Sequence, residues 1–212
     1  MVLMKNNILT LVLLTLVSAL MGITSPELYG QLMAKYDKII TFQADIVQTS
    51  FYSEIDHINI SEGEILYNSD KILINYTSPK EEKISLIENT VYIYQAEPDR
   101  LIKTYADSSF VSLNIKHLIK RVWNDQAIEI TEQEDSYLVK TKLSEAKQFA
   151  NIVLIEFLID MKDYMVKNVK YQDDSSNEVS VSFSNIKLNK EIADDVWEMD
   201  LSDNTQIIDY RE

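Results

Sequence analysis

The chain has 212 residues, with 34 acidic and 20 basic side chains that give a net charge of −14, and it contains three glycines and no cysteine. The absence of cysteine excludes disulfides, thiolate metal sites and a lipid-modified N-terminal cysteine, and three glycines are too few for the phosphate-cradling loop of a nucleotide enzyme. The acidic surface repels nucleic acid and anionic lipid head groups, so neither is expected as a partner.

The first residues have the pattern of a secretory signal peptide. Lys5 precedes an apolar run at 8–20, which has the length of a signal-peptide core and is too short to span a bilayer comfortably. We therefore predict a signal peptide at 1–19, with cleavage as late as 22, and a single domain at 20–212. The mature protein is expected in the periplasm without a lipid anchor. A permanent N-terminal anchor is the alternative.

A helix and two strands are predicted next. A hydroxyl, a proline and an acid at 25–27 supply an N-cap, a favoured first turn and a charge that suits the helix dipole, and apolar residues recur at helical spacing to about 37. Alternating apolar and polar residues at 40–46 predict a half-buried strand. A second strand is predicted from about 57 to 67, and Gly63 within it indicates a bulge or bend.

Residues 62–105 have the pattern of an antiparallel meander. Short runs of β-branched and aromatic residues are separated by polar or proline-containing breaks. The breaks at 68–70, 78–80, 88–89 and 97–99 have the chemistry of turns. This segment is therefore predicted to form about half of one large sheet.

The apolar period changes to that of a helix at 111–124, where apolar residues fall on one face and basic residues on the other. Strands are predicted to resume after this helix, and a short helical turn at 192–197 precedes the last of them. These later strands are predicted at 127–131, 136–143, 152–160, 166–172, 179–188 and 206–210.

The predicted sheet is too large to remain flat. Ten or more antiparallel strands with one apolar face must curl into a barrel or a half-barrel to hide that face. Two helices are too few to cover it fully, so we expect them to lie over the mouth as a lid above an apolar cavity. The predicted fold class is α+β, mostly β.

The residue types do not indicate a catalytic or metal site. His57 and His117 have no nucleophile or paired ligand at motif spacing, whereas general-base and zinc sites need convergent partners. Carboxylates are abundant but lie in predicted loops, and a glycosidase pair among them remains an alternative. We predict a binding protein that is not an enzyme and has no cofactor.

Large apolar and phenolic side chains dominate the predicted interior. A cavity lined in this way suits acyl chains better than a polar metabolite, although a barrel core filled by its own side chains fits the same pattern. The predicted cavity residues are Phe42, Ala44, Ile46, Ile65, Tyr67, Ile72, Ile74, Tyr76, Leu86, Tyr92, Tyr94 and Phe157. The predicted lid residues are Leu32, Tyr36, Leu118, Ile119 and Val122.

Short motifs follow one another along the chain in a characteristic order. They are TFQADIVQ at 41–48, EGEIL at 62–66, YTSP at 76–79, NTVYIY at 89–94, KQF at 147–149 and FSNIKLN at 183–189. In this order and spacing they resemble the motifs of the LolA family of periplasmic outer-membrane lipoprotein carriers. The resemblance covers nearly the whole mature chain.

This resemblance implies an open half-barrel of about eleven strands with helices as its lid. It also implies that the protein takes acylated lipoproteins from an inner-membrane ABC transporter, shields their acyl chains and delivers them to an outer-membrane lipoprotein acceptor. The absence of cysteine favours the soluble carrier, expected as a monomer, over that acceptor. A half-barrel sensor that binds lipoprotein or lipopolysaccharide is the main alternative, although such proteins normally carry an additional domain. A secreted hydrolase that uses carboxylates is a further one.

One departure from the family pattern concerns the lid. Family members usually have an arginine in the turn after the G-x-L strand, and it hydrogen-bonds the lid helices. Here that turn is at 68–70 without an arginine, and Lys71 is the nearest cation. The lid is therefore expected to be held by tyrosines or by packing. The glycine of the next hairpin is replaced by Asn89, which tolerates a left-handed conformation.

Overall fold

The computed structural model describes residues 22–69, 71–106, 114–125, 127–143 and 151–211. The predicted signal peptide lies outside these residues. Within them, no helix has both the length and the apolar character needed to cross a membrane.

Two helices and twelve strands make up the described part of the chain. The helices are α1 (Ser25–Tyr36) and α2 (Ile115–Asp125). The strands are β1 (Thr41–Tyr52), β2 (His57–Asn68), β3 (Lys71–Ser78), β4 (Glu82–Ile87), β5 (Thr90–Gln95), β6 (Arg100–Tyr105), β7 (Ile128–Gln133), β8 (Ser136–Lys142), β9 (Ile152–Asp160), β10 (Val166–Asp173), β11 (Glu178–Leu188) and β12 (Gln206–Asp209).

All the described strands belong to one sheet, in the order β12-β6-β5-β4-β3-β2-β1-β11-β10-β9-β8-β7. Strands β7 and β12 lie at its two edges, so the sheet curves without closing into a barrel. The predicted α+β class and the open, mostly antiparallel sheet are confirmed. One departure is β12, which pairs with β6 in parallel.

The N-cap of helix α1 lies one residue earlier than predicted. Thr24 is the N-cap, where Ser25 was expected, and its backbone N–H donates to Oε2 of Glu27 at 2.9 Å. The hydroxyl of Thr24 donates to the same oxygen at 2.6 Å. The first of these hydrogen bonds satisfies the backbone donor of the N-cap residue, and both hold the pKa of Glu27 below its usual value.

Gly63 stands at the predicted irregularity in β2. The pairing of β2 with β3 shifts between Glu62 and Gly63, as expected for a β-bulge. A Cβ atom at Gly63 would lie 2.2 Å from the carbonyl oxygen of Asn75. The backbones of β2 and β3 therefore approach closely here because this residue has no side chain, and the predicted bulge is confirmed.

The two faces of the sheet have different cores. The main core lies on the face that α1 and α2 cover, which we call the concave face, and it includes side chains from both halves of the sheet. A smaller cluster of Leu66, Leu73 and Trp197 lies on the other, outer face. The C-terminal segment is held there by Lys83, whose Nζ donates to the carbonyl oxygens of Val196 and Glu198 at 3.3 and 2.9 Å.

Candidate functional site

Strand pairing aligns the apolar residues of the concave face into rows. Ala44 on β1 lies opposite Ile65 on β2, and Ile65 lies opposite Ile74 on β3. Cross-strand partners point to the same side of a sheet, so the three side chains form one continuous apolar row. All three are buried in the main core. The rows together line the inside of the half-barrel.

Most of the predicted cavity residues lie together in this interior. Those buried in the main core are Phe42, Ala44, Ile46, Ile65, Ile72, Ile74 and Phe157. Those partly buried and packed against it are Tyr67, Tyr76 and Leu86. Their contact with a ligand stays a prediction, but the structure brings these side chains to one surface.

Tyr92 and Tyr94 are exceptions, because they lie on the outer face. Tyr92 pairs with Ser85, and Ser85 pairs with Leu73 of the outer cluster. The alternate residue Val91 faces inward and is fully buried. The predicted orientation of β5 was therefore wrong by one residue. Both faces of this strand carry large apolar or aromatic side chains, so the sequence did not show which face is internal.

The two helices close the concave face with their apolar stripes. All five predicted lid residues, Leu32, Tyr36, Leu118, Ile119 and Val122, are buried in the main core. The same stripes also bury Leu28, Met33 and Ile115, which share the helical spacing of the predicted residues. The helices therefore fill the half-barrel with their own side chains.

Polar contacts among the described residues also fasten the helices. The buried hydroxyl of Tyr36 accepts a hydrogen bond from the backbone N–H of Val166 at 3.1 Å, and burial raises the pKa of Tyr36 well above its usual value. The indole N–H of Trp123 donates to the carbonyl oxygen of Ser25 at 3.2 Å. Lys116 pairs with Asp37 at 2.9 Å, and this hydrogen bond lowers the pKa of Asp37.

Little empty space remains beneath the helices. An apolar cavity of about 40 Å³ lies between the helices and the first two strands, and its lining includes Tyr36, Phe42, Ile65 and Ile115. An apolar cavity of about 150 Å³ is the size that holds one benzene molecule, so this cavity is too small for an acyl chain. In this arrangement the interior is filled by its own side chains. A long ligand can enter only if the helices move.

The concave face becomes polar at its far end, beyond the reach of the helices. A groove of about 390 Å³ lies there, and its lining includes Gln48, Ser50, Ser61 and Tyr76. The hydroxyl of Tyr76 donates to Oε1 of Gln48 at 2.7 Å, and Nε2 of Gln48 donates to Oγ of Ser50 at 3.2 Å. Burial raises the pKa of Tyr76 to about 12. The interior surface is thus apolar at one end and polar at the other.

The sequence matches the family model for "Outer membrane lipoprotein carrier protein LolA" over residues 37–200. This match spans more than half of the chain. The chain belongs to the LolA family. The resemblance carried by the short sequence motifs is therefore confirmed. Among proteins with curated functions, the sequence has no match.

Solved structures share the fold at low sequence identity. An uncharacterized conserved protein from Thermus thermophilus is 9% identical with a TM-score of 0.57, and the match covers 87% of this chain and 98% of that one. MucB is 9% identical with a TM-score of 0.54, covering 87% of this chain and 65% of MucB. A LolA superfamily protein from Nitrosomonas europaea is 9% identical with a TM-score of 0.45, covering 84% and 99%. At such identities the first two show the fold alone.

The two sequence departures from the LolA family have different outcomes in the structure. The ammonium of Lys71 lies 5.7 Å from the ring centroid of Trp197, on the outer face, so it does not replace the family arginine at the lid. In the hairpin between β4 and β5, Glu88 has the left-handed conformation, with φ of 56°, where Asn89 was expected to adopt it. In this LolA family member, the described polar contacts of the lid are those of Tyr36, Trp123 and Lys116.

The two histidines lie at the surface of the protein. His57 is exposed and its ring stacks on Tyr52 with centroids 6.5 Å apart, and His117 is exposed on α2. Within the described ranges, no three His, Asp or Glu side chains come close enough together to hold a metal ion. The candidate site therefore consists of the apolar concave face, the two helices that cover it and the row of uncharged polar side chains at its far end.

Proposed function

We propose that this protein is a periplasmic carrier that shields the acyl chains of lipoproteins within its half-barrel. Membership of a family of outer membrane lipoprotein carriers supports this proposal. The observation that carries it is the apolar concave face, which is covered by two helices through side chains that an acyl chain can replace. The lid and the cargo would occupy the same surface in turn.

The lid is nearly as hydrophobic as the proposed cargo. Eight helix side chains are buried against the sheet: Leu28, Leu32, Met33, Tyr36, Ile115, Leu118, Ile119 and Val122. At about 1.5–3 kcal/mol for each buried apolar side chain, they contribute roughly 12–24 kcal/mol. An acyl chain of about fifteen methylenes, at about 0.8 kcal/mol each, contributes about 12 kcal/mol. Exchange of lid for chain is therefore close to balanced, as a reversible carrier requires.

Polar contacts among the described residues also hold the helices in place. The contact of Lys116 with Asp37 joins one helix to the end of the other, and that of Trp123 with Ser25 also joins the two helices. The hydrogen bond to Tyr36 ties α1 to the sheet. Of these contacts, the hydrogen bond to Tyr36 is the one that must break before the two helices move away from the sheet together.

We further propose that the cargo comes from an inner-membrane lipoprotein-releasing ABC transporter and passes to an outer-membrane lipoprotein acceptor. Both proposals rest on what the resemblance to the LolA family implies. The first test is to purify the protein from periplasmic extract and to identify what co-purifies by mass spectrometry. Intact acylated lipoproteins are the expected result. Cleaved sugar chains in their place would favour a hydrolase.

Binding should depend on the concave face and not on net charge. In Ile74→Glu, a carboxylate replaces a side chain in the centre of the apolar row, so binding of a diacylated lipopeptide should be lost. Thr77→Glu adds the same charge on the same strand at an exposed position and should bind normally. Both variants are measured by isothermal titration, and circular dichroism verifies that each is folded. Normal binding by a folded Ile74→Glu would overturn the proposed site.

A further inference from the structure

We infer that the polar groove at the far end of the concave face holds the ester and amide head of the acylated cargo. This inference rests on the proposed function, because it assigns an orientation to the same ligand. The acyl chains would lie where the helices now lie, and the head would lie beyond them. The groove is the larger space, with about 390 Å³ against about 40 Å³ beneath the helices.

The change from apolar to polar takes place along single strands. On β1, Phe42, Ala44 and Ile46 are followed on the same face by Gln48 and Ser50. Side chains two residues apart on a strand point to the same side, so an amphiphile lying along β1 would meet apolar groups first and hydrogen-bonding groups next. The polarity along β1 therefore matches that of an acylated ligand, with acyl chains over the apolar residues and the head over the polar ones.

Neighbouring strands continue the polar end. Ser61 lies opposite Gln48, and Asn59 lies opposite Ser50, in the pairing of β1 with β2. Nδ2 of Asn59 lies 3.4 Å from Oγ of Ser61. Hydroxyl and amide groups can both donate and accept. They suit ester and amide groups, which need donors for their carbonyl oxygens and, for the amide N–H, an acceptor.

The charge of the groove argues for an uncharged head. Among the described residues that line it, Lys80 is the one base and Glu82 the one acid, and the other polar side chains are neutral. A phosphate or a carboxylate in a protein of net charge −14 would need an excess of cations to offset repulsion. The glycerol esters and the amide of an acylated N-terminal cysteine carry no charge and need none.

Tyr76 marks the boundary between the two regions. Its ring packs against the main core, while its hydroxyl donates to Gln48 in the polar row. Tyrosine suits such a place because one end of the side chain is apolar and the other forms hydrogen bonds. Ser50 is 4% exposed and accepts a hydrogen bond from Nε2 of Gln48, so these two polar groups of the groove are paired with each other.

The test compares two probes that share their acyl chain and differ in their head. One probe is a dipalmitoylglyceryl-cysteinyl peptide whose α-amino group is also palmitoylated, and the other is palmitate. In Gln48→Leu, affinity for the lipopeptide should fall about tenfold, which is about 1.4 kcal/mol, while affinity for palmitate should stay within twofold. Thr49→Val, at the next residue and on the opposite face, is the matched control and should bind both probes normally.

The outcomes separate this inference from the proposed function. If the wild-type protein binds neither probe, the carrier proposal fails and the head assignment fails with it. If the wild type binds both probes, the head assignment alone is overturned when Gln48→Leu keeps its affinity for both or loses affinity for both equally. If Gln48→Leu does not fold, Ser61→Ala provides the same comparison. Ser61 is half-buried, and the melting temperature of the variant verifies that it is folded. A selective loss for the lipopeptide supports the assignment.

Discussion

Substitution of Tyr36 by phenylalanine is expected to raise the affinity for lipid and to lower the stability of the protein without lipid. The hydroxyl of Tyr36 accepts the backbone N–H of Val166 at 3.1 Å, in a buried setting. Tyr36→Phe keeps the ring but leaves this N–H without an acceptor when the lid is closed. When the lid opens, water can reach the N–H. The substitution therefore penalises the closed state alone.

The size of the effect follows from the cost of an unpaired buried donor, which is about 1–3 kcal/mol. The free energy of opening the lid should fall by that amount. Because only the open form accepts an acyl chain, the apparent Kd equals the intrinsic Kd divided by the open fraction. At about 1.4 kcal/mol for each factor of ten, Tyr36→Phe should bind roughly five to a hundred times more tightly.

Titration with the dipalmitoyl lipopeptide measures this change. Trp123 is a suitable fluorescent reporter, because its ring stacks on Tyr29 at 5.9 Å and lies 6.2 Å from Phe157 beneath the lid. The control is Tyr29→Phe, because Tyr29 lies on the same helix as Tyr36 and the substitution keeps the ring that contacts Trp123. This variant should bind as the wild type does. A Tyr36→Phe variant that loses stability without any gain in affinity would refute the closed-lid reasoning.

Two further predictions concern stability and pH. Gly63→Ala should lower the free energy of unfolding by about 1–3 kcal/mol, because its Cβ would lie 2.2 Å from the carbonyl oxygen of Asn75. Gly30→Ala, in a helix with open space around it, should instead stabilise by about 0.5–1 kcal/mol, and thermal melts measure both. The pKa of Asp37 is lowered from 3.8 by its hydrogen bond with Lys116, so this lid contact is intact above that value and is lost as pH falls below it. The small stability that this exposed contact contributes should therefore be lost on acidification below about pH 4, and thermal melts of Asp37→Asn should lack this pH step.

The curved sheet was predictable because its signals are local. The bulge at Gly63 was predicted from a glycine inside a strand pattern, and the turns from polar and proline-containing breaks. Each of these signals depends on residues close together in sequence. The helix stripes were also predictable, since Leu28, Leu32 and Tyr36 recur at helical spacing and are buried together. Local period was sufficient for the elements and for the apolar face of the lid.

Features that depend on distant residues were not predictable in the same way. The hydrogen bond between Tyr36 and Val166 joins residues 130 positions apart. The parallel pairing of β12 with β6 depends on a C-terminal segment, which the backbone N–H of Gln206 fixes to the carbonyl oxygen of Asp99 at 3.0 Å. No local pattern in the sequence specifies either contact. The orientation of β5 failed for another reason, because both of its faces are apolar.

The hydrophobicity of the lid limits how much cargo can be buried reversibly. Three acyl chains, each worth about 12 kcal/mol, would together gain about 36 kcal/mol. Displacing the eight helix side chains offsets at most about 24 kcal/mol, and non-covalent affinities rarely exceed about 18–21 kcal/mol. One chain balances the lid only at the lower estimate of the lid's contribution, about 12 kcal/mol, whereas three fully buried chains gain at least about 12 kcal/mol more than the lid can offset. A carrier built on this half-barrel can therefore release its cargo most readily when part of the acyl surface stays outside the cavity.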